Sequence, residues 1–345
     1  LRVLAFADKV LTSGCKQQDI ETGMVFLGLM GMTDPPRAEA INAVKLCRSA
    51  HIRTVMITGD HKNTAAAIAK KAGIYKKGDM VLTGAELEAM SDSELESIID
   101  KVTVYARVNP ADKLRIVRAF KKHGEIVTMT GDGVNDAPAI KEASIGVAMG
   151  VTGTDVTKQA ADVVLLDDNF ATLVSAVEQG RGIYANIRKF VRYLLSCNIG
   201  EVLTMFLGII MGMPITLLPT QLLLVNLVTD GLPAIALGVE PAERENMKQP
   251  PRRSDESFFS DGLMTKIIFR GILIGLCTLG CFALFTYMFG DLTIARTGAL
   301  FTLIMSQLAH VFECKSEKKN IFTVPYFSNP KLILAVLVSA AVIFA

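Results

Sequence analysis

The chain has 345 residues, of which 50% are hydrophobic and 20% charged, so it is long enough for a soluble domain together with membrane spans. Its net charge of +2 gives no electrostatic support for a nucleic-acid partner. Six cysteines without Cys-x-x-Cys spacing are interpreted as reduced packing residues, not as metal ligands or disulfides.

The first part of the chain alternates short apolar strands with helices. This alternation predicts a doubly wound parallel α/β sheet of five or six strands over residues 1–182. The strands at 24–30 and 52–57, with the helix between them, are expected to form one βαβ unit. Helices are predicted at 37–49, 63–72, 85–100 and from Pro110, further strands at 103–106, near 125–130, 144–149 and 162–166, and connecting loops at 150–158 and 167–170.

One strand runs directly into an acidic turn, Thr130-Gly-Asp-Gly-Val-Asn-Asp136. Its two glycines allow the backbone to approach an anionic ligand, and Asp132 and Asp136 can converge on one hard cation such as Mg²⁺. The alternative is a structural turn in which Asp136 caps the helix opened by Pro138. The full motif favours a phosphate and magnesium site.

A second strand also ends in Thr-Gly-Asp, at residues 58–60. Ligands of open α/β sheets bind at the carboxyl ends of the strands, and a helix amino terminus there favours anions. Lys113, on a helix that Asn109 can cap, would be an ordinary solvated lysine by itself. Because it lies one strand before the acidic turn, it can reach the same phosphate as a point charge. The two turns therefore predict one phosphate pocket.

Beyond residue 182 the chain becomes a series of long apolar stretches, which predicts an all-α membrane domain over residues 183–345. The opposite loops carry only Arg296, whereas the two segments 240–266 and 314–331 carry nine basic residues: Arg244, Lys248, Arg252, Arg253, Lys266, Lys315, Lys318, Lys319 and Lys331. This asymmetry predicts a multi-pass membrane protein whose first domain is cytoplasmic. The predicted spans lie near 190–213, 217–239, 267–289 and 295–313, with a partial span from 331.

Polar side chains within these spans are costly and therefore indicate function. The first span carries two of them three residues apart, and the second carries three within five positions, close to a helix break at Gly231 and Pro233. Oxygen ligands with two negative charges suit a hard cation such as Ca²⁺. The alternative is hydrogen bonding that only joins the helices. The five side chains are Asn198, Glu201, Asn226, Thr229 and Asp230.

These motifs closely resemble those of the P-type ATPases and, within them, the calcium pumps of the sarco/endoplasmic reticulum type. The resemblance covers nearly the whole chain. The motifs that carry it are Asp34-Pro-Pro-Arg37, Met56-Ile-Thr-Gly-Asp60, Lys113, Thr130-Gly-Asp-Gly-Val-Asn-Asp-Ala-Pro138, Asn198-Ile-Gly-Glu201 and Asn226-Leu-Val-Thr-Asp-Gly-Leu-Pro233.

The resemblance implies a phosphorylation domain of the haloacid-dehalogenase type, followed by membrane helices five to eight and part of the ninth. Asp132, helped by Asp136, would hold Mg²⁺, and Lys113, Thr58 and Asn135 would contact the transferred phosphoryl group. The five intramembrane side chains would bind Ca²⁺. The nucleotide-binding set would be Thr58, Gly59, Asp60, Arg107, Lys113 and Asn135.

Two departures accompany the resemblance. The family's phosphorylated aspartate lies in Asp-Lys-Thr-Gly-Thr, which this chain lacks, and the segment Leu303–His310 has no glutamate where reticulum pumps place one. The chain is therefore expected to be the carboxyl-terminal part of a longer pump and to be inactive alone.

The function expected from the sequence is ATP-driven export of Ca²⁺ from the cytoplasm through an aspartyl-phosphate, with Mg²⁺ and ATP as cofactors. The membrane would be the cell membrane in a bacterium or the endoplasmic reticulum in a eukaryote. Two alternatives remain open at this point: a pump for Mn²⁺, Na⁺ or K⁺, and a noncatalytic, membrane-anchored phosphate-binding module.

Overall fold

The eight strands that the structure describes lie before residue 166, and long apolar helices follow them. The computed structural model describes residues 2–10, 21–32, 35–253, 255–317, 323 and 326–344. Asp34 of the predicted motif Asp34–Arg37 therefore lies outside the described residues, as do Lys318 and Lys319. Two compact units, residues 1–175 and 176–345, make up the chain. The predicted domain boundary at 182 remains a prediction.

A two-stranded hairpin opens the first unit. Strands β1 (Arg2–Asp8) and β2 (Val25–Met32) pair antiparallel, with a bulge at Phe6 and Ala7. The prediction that β2 joins a βαβ unit is therefore wrong, because β2 satisfies its backbone against the preceding segment. Apolar side chains on both of its faces are exposed, as Phe26 and Leu27 illustrate at 63% and 64%.

Six short strands form the α/β part of the unit, in two three-stranded parallel sheets instead of one continuous sheet. The predicted parallel α/β class is confirmed. Strand β4 (Met80–Thr83) was not predicted. The first sheet has the order β3 (Met56–Thr58), β5 (Val102–Ala106), β4 (Met80–Thr83), and the second has the order β6 (Thr128–Gly131), β7 (Ile145–Met149), β8 (Val163–Leu165).

Among the described residues of the first unit, seven α-helices accompany these strands: α1 (Ala38–Ser49), α2 (Lys62–Ala72), α3 (Gly84–Glu88), α4 (Asp92–Ile98), α5 (Pro110–Lys122), α6 (Ala137–Glu142) and α7 (Asp155–Ala160). Local sequence signals set several of their ends. Asn109 forms a capping box at the start of α5, and Gly73 ends α2 in the left-handed conformation with φ of 80°.

One predicted helix and one predicted loop are wrong, in both cases because a local N-cap starts a helix that was not expected. The single helix predicted at 85–100 is divided, because Ser91 and Glu94 form a capping box that starts α4. The predicted loop at 150–158 contains the start of α7, whose first turn Thr154 caps.

Apolar packing brings the ends of two key strands together. One buried cluster contains Val117 of α5, Met129 of β6 and Ile140 of α6, and Ile57 of β3 packs against it. Thr58 follows Ile57 directly, so the first Thr-Gly-Asp turn begins beside the elements that carry the second.

Among the described residues, the second unit contains four helices that are long and apolar enough to cross a membrane, which supports the predicted multi-pass class. They are α8 (Phe170–Ile210), the segment Pro219–Gly238, α11 (Leu263–Phe289) and α12 (Leu292–Glu313). Helix α8 begins well before the predicted start near residue 190. The segment 219–238 consists of α9 (Pro219–Leu224), a π-helical turn (Val225–Thr229) and α10 (Gly231–Gly238). The shorter apolar helix α13 (Pro330–Phe344) follows.

Basic residues of α8 are buried in ion pairs with acidic residues that are distant in the sequence. Arg188, Lys189 and Arg192 are each less than 5% exposed. Ion pairs of this kind restrict α8 because breaking one leaves a buried charge without a partner. The pairs are Arg188–Glu317 at 2.9 Å, Lys189–Glu243 at 3.2 Å and Arg192–Glu313 at 3.4 Å.

Tyr105 provides a test of the core. It is fully buried, and within the described residues its hydroxyl has no hydrogen-bond partner. Burial raises its pKa. Because an unpartnered buried hydroxyl is unfavourable, Tyr105→Phe should leave the free energy of unfolding unchanged or raise it by up to about 1 kcal/mol. Leu95→Ala in the same cluster should lower it by about 2–5 kcal/mol. Urea titration with pulse proteolysis measures both, and a clear loss in Tyr105→Phe would reveal a hydrogen bond to that hydroxyl.

Candidate functional site

The acidic turn leaves β6 with one aspartate exposed and the other buried. Asp132 and Asn135 are exposed, whereas Asp136 is only 7% exposed. Asp136 lies over Gly131, where an added Cβ would be 2.5 Å from the Asp136 Cβ. A glycine is therefore required for the turn to close in this form. Asp132 can meet a ligand from solution, and Asp136 forms part of the support beneath it.

Asp136 forms an ion pair with Lys113 of α5, and both side chains are largely buried. Its second oxygen accepts the Gly133 N–H at 3.3 Å. Asp136 occupies the N-cap position of α6 but makes no side-chain capping hydrogen bond, so the structural alternative of a simple helix cap does not describe it. The structure thus brings Lys113 to the acidic turn.

The other Thr-Gly-Asp turn is joined to the end of β5. The Asp60 N–H donates to Thr58 Oγ1 at 3.1 Å, and the Arg107 N–H donates to the Asp60 carbonyl at 3.1 Å. Gly59, Asp60 and Arg107 are exposed. Arg107 has φ of 52°, which is strained for a non-glycine residue and is a feature that often accompanies function. Among the described residues no hydrogen bond joins this turn to Lys113.

The acidic turn is also supported by a segment that the sequence did not single out. The Thr154 N–H donates to the Asp132 carbonyl at 3.0 Å, and the Thr157 hydroxyl donates to the Gly133 carbonyl at 2.9 Å. The capping pattern of Thr154 could have revealed the helix, but not its contact with the turn.

The ion pair between Lys113 and Asp136 can be tested by a double-mutant cycle. Lys113→Met should destabilise the first unit, because it leaves the Asp136 carboxylate buried without its partner. The same change should cost less when Asp136→Asn is already present, with a coupling of about 0.5–3 kcal/mol. Urea titration of the four proteins gives the coupling, and additive effects would mean that the two side chains do not interact in solution.

The membrane unit contains a second polar cluster, in which side chains from three spans meet. Glu201 of α8 and Asp230, next to the π-helical turn, are 6% and 1% exposed. Gln307 of α12 is fully buried, and its Nε2 donates to Glu201 Oε1 at 3.0 Å and to Asp230 Oδ2 at 3.2 Å. One amide group therefore bridges two buried carboxylates.

Two further groups complete the hydrogen bonding of the carboxylates. Tyr193 of α8 donates its hydroxyl to Asp230 Oδ1 at 3.0 Å, and Asn226 Nδ2 donates to Glu201 Oε2 at 2.8 Å. Each carboxylate oxygen thus accepts a hydrogen bond.

The two remaining predicted side chains lie differently. The Thr229 hydroxyl is buried and donates to the Val225 carbonyl of its own helix at 3.0 Å. Asn198 is exposed and lies beside apolar residues such as Leu195 and Val202. In the part of the chain that the structure describes, neither is hydrogen-bonded to the two carboxylates. Their role as cation ligands stays a prediction.

The helix break is a π-helical turn, a feature frequent at functional sites. The Asp230 N–H donates to the Val225 carbonyl at 2.9 Å, five residues earlier. Pro233 has no N–H to offer to the carbonyl of residue 229. The turn therefore departs from α-helical bonding at the residues that carry Asn226 and Asp230.

Sequence reasoning missed Gln307 and Tyr193. The signal for Gln307 was available, since it is an uncharged polar residue within a predicted span. Its Oε1 atom is buried and lacks a hydrogen-bond partner among the described residues. No group of three His, Cys, Asp or Glu residues within that part of the chain could hold a metal. A cation here would need amide, hydroxyl or backbone oxygens beside the two carboxylates, and Gln307 Oε1 is one such oxygen.

Two family models match the chain. A haloacid dehalogenase-like hydrolase model matches residues 6–144, and a model for the carboxyl terminus of cation-transporting ATPases matches residues 214–345. The first covers the strands that carry both Thr-Gly-Asp turns. The second covers Asn226, Asp230 and Gln307.

Several curated proteins are similar along nearly the whole chain. It is 48% identical to the calcium-transporting ATPase 1 of Bacillus cereus, over 98% of this chain and 40% of that protein. It is also 48% identical to the calcium-transporting ATPase of Bacillus subtilis, over 98% of the chain and 38% of that protein. The endoplasmic reticulum-type calcium-transporting ATPase 2 of Arabidopsis thaliana is 44% identical over 92% of the chain and 31% of its own length. The chain spans less than half the length of these relatives.

Proposed function

Because the chain belongs to the cation-transporting ATPases of the P type, we propose that it forms part of an ATP-driven pump that exports Ca²⁺ from the cytoplasm. It is a multi-pass membrane protein, and its described residues contain four helices that are long and apolar enough to span a membrane. The observation that carries the proposal is the meeting of Glu201, Asp230 and Gln307 from three of those spans. The three relatives described above are all named as calcium-transporting ATPases.

The acidic turn is the proposed site of phosphoryl transfer, and its donors fit Mg²⁺. Mg²⁺ is commonly held by one or two carboxylates together with substrate phosphates, and Asp132 is an exposed carboxylate on a glycine turn. Asp136 is the second carboxylate, and it also holds Lys113. When bound, Mg²⁺ neutralises charge on the phosphoryl group.

The chain's own residues position the phosphate and the nucleotide. Lys113 supplies a fixed positive charge, and the Thr58 hydroxyl and the Asn135 amide supply hydrogen bonds. Gly59, Asp60 and Arg107, joined to Thr58 at the end of β3, are proposed to contact ATP.

The aspartate that accepts the phosphoryl group would come from another part of the full-length pump, since Asp-Lys-Thr-Gly-Thr does not occur in these 345 residues. Strands β3 and β6 are both edge strands among the described residues, and each ends in a Thr-Gly-Asp turn. We propose that the strand carrying the nucleophile pairs between them. Its carboxyl end would then lie between Thr58 and Asp132.

Amide hydrogen exchange tests this arrangement. In the full-length pump, amides of β3 and β6 should exchange at least about tenfold more slowly than in the 345-residue chain, because they gain a strand partner. Amides of β5, which already pairs on both sides, provide the matched control and should change little. Equal exchange of β3 and β6 in both proteins would place the missing strand elsewhere.

The intramembrane cluster suits one divalent cation, the transported substrate. Two carboxylates give a charge of −2, and amide rotation would turn the unpartnered Gln307 Oε1 toward the ion. Gln307 lies in the segment where reticulum pumps carry a glutamate, so the charge available to a second ion is smaller. This difference keeps a pump for another cation, such as Mn²⁺, as the second candidate, because ligand chemistry alone seldom fixes selectivity.

ATP-driven ⁴⁵Ca²⁺ uptake by sealed vesicles that contain the full-length pump tests this function. Asp230→Asn should abolish uptake, because it removes one of the two buried charges while preserving the side chain's shape. Asp291→Asn is the matched control, since Asp291 is exposed at the start of α12 and asparagine also caps helices well.

The result discriminates between the candidates. Uptake that only Asp230→Asn abolishes would support calcium transport at this cluster. Mn²⁺-stimulated ATP hydrolysis without Ca²⁺ uptake would favour the second candidate. Full Ca²⁺ uptake by Asp230→Asn would remove the cluster from the transport path.

A further inference from the structure

The acidic turn contains two glycines and presents Asp132 to solution, so its own sequence does little to fix the carboxylate. Gly131 and Gly133 flank Asp132 on both sides, and glycine backbones are conformationally free. A carboxylate binds a metal tightly only when its orientation is restricted by surrounding groups. Within the turn, the Asp136 N–H donates to the Gly133 carbonyl at 2.8 Å, and the Asp136 carboxylate accepts the Gly133 N–H at 3.3 Å. These two bonds do not reach the Asp132 carbonyl, so the remaining support of the main chain comes from outside the turn.

The hydrogen bonds of Thr157 meet this need. Thr157 is fully buried in α7, and its side chain is 2.9 Å from the Gly133 carbonyl and 3.4 Å from the Asp132 carbonyl. A hydroxyl has one proton, so the shorter contact is the donated bond. The Thr157 oxygen then accepts the hydroxyl proton of Thr154, 2.7 Å away. Thr154 also donates its N–H to the Asp132 carbonyl at 3.0 Å.

The segment before α7 is itself tightly fixed. Asp168, in the loop after β8, accepts the N–H groups of Val151 and Thr152 at 2.9 and 2.8 Å. These backbone bonds, together with one from the Thr152 hydroxyl, lower the pKa of Asp168 to about 2. Gly153 packs so closely on the Met149 carbonyl that any Cβ would collide with it. The segment that leads into α7, and with it Thr157, is therefore held in place by several close contacts.

We propose that Thr157 is a positioning residue for the magnesium site: its hydroxyl holds the Gly133 carbonyl so that the Asp132 carboxylate is aimed at the ion. This inference rests on the proposed function of the acidic turn. Thr157 is fully buried whereas Asp132 is exposed, so Thr157 acts through the backbone carbonyls of the turn and not by contact with a ligand from solution.

Three substitutions in the full-length pump separate this role from packing. Thr157→Val keeps the shape and removes the hydroxyl, Thr157→Ala cannot collide with any neighbour, and Thr157→Ser keeps the hydroxyl. Thr103→Val is the matched control, because Thr103 is a buried threonine of β5 whose hydroxyl has no partner among the described residues.

The first measurement is the Mg²⁺ concentration that half-saturates formation of the aspartyl-phosphate from ATP. We expect Thr157→Val and Thr157→Ala to raise it about 10–100-fold, the usual effect of removing a group that orients a metal ligand. Thr157→Ser and Thr103→Val should stay within about twofold of the unsubstituted pump, and the Ca²⁺ dependence should not change.

The second measurement needs no activity. Amide exchange of peptides that cover residues 131–136 should become about tenfold faster in Thr157→Val without Mg²⁺, while peptides from β3 and β5 stay unchanged. This local change distinguishes loss of positioning from general destabilisation.

The possible outcomes have separate meanings. If the unsubstituted pump forms no aspartyl-phosphate with Mg²⁺, the proposed function fails. If it does and Thr157→Val has the same Mg²⁺ dependence, only the role of Thr157 fails. An equal defect in Thr157→Ser would assign the effect to packing. Failure of both Thr157→Val and Thr157→Ala to fold, with Thr103→Val normal, would make Thr157 a folding residue and overturn the proposal.

Discussion

Burying two carboxylates among apolar helices imposes the strictest constraint on the membrane unit. A charge in such surroundings is strongly unfavourable unless hydrogen bonds replace the lost water. Tyr193, Asn226 and Gln307 supply those bonds, and they come from three spans. The helices therefore have to meet at one level. The π-helical turn beside Asp230 allows a side chain to reach that level where regular α-helical bonding is interrupted.

The acidic turn of the first unit solves the opposite problem. Asp132 is exposed, so its charge is solvated, and the difficulty is to hold it still. Strand β6 brings the turn to the end of the sheet, and Asp136 closes it over Gly131. Thr154 and Thr157 then donate hydrogen bonds to the backbone carbonyls of Asp132 and Gly133. The intramembrane site depends on hydrogen bonds that offset the cost of burying charge, whereas the acidic turn depends on restricting a flexible backbone.

The sequence predicted those features that are local. The acidic turn, the cap at Asn109 and the four spans each depend on residues close together in the chain, so composition and spacing identified them. Strand pairing is not local: β2 pairs with β1, and six parallel strands form two sheets. Gln307 was recognisable as a polar residue within a predicted span, but its pairing with the two carboxylates could not be predicted because they lie 77 and 106 positions away. Thr157 was missed because it contacts backbone carbonyls, which every residue has, so the sequence does not indicate which carbonyls a side chain reaches.

The hairpin of β1 and β2 has a practical consequence for handling the isolated chain. Its apolar side chains are exposed on both faces, and among the described residues neither edge of this two-stranded sheet pairs with a further strand. Open edges with apolar faces are templates for strand addition, which leads to aggregation. Detergent micelles form around long apolar helices, whereas the unpaired backbone groups of an open strand edge are satisfied by another strand. Protein prepared from these 345 residues alone would therefore self-associate through its amino-terminal strands even when its membrane helices are well solubilised.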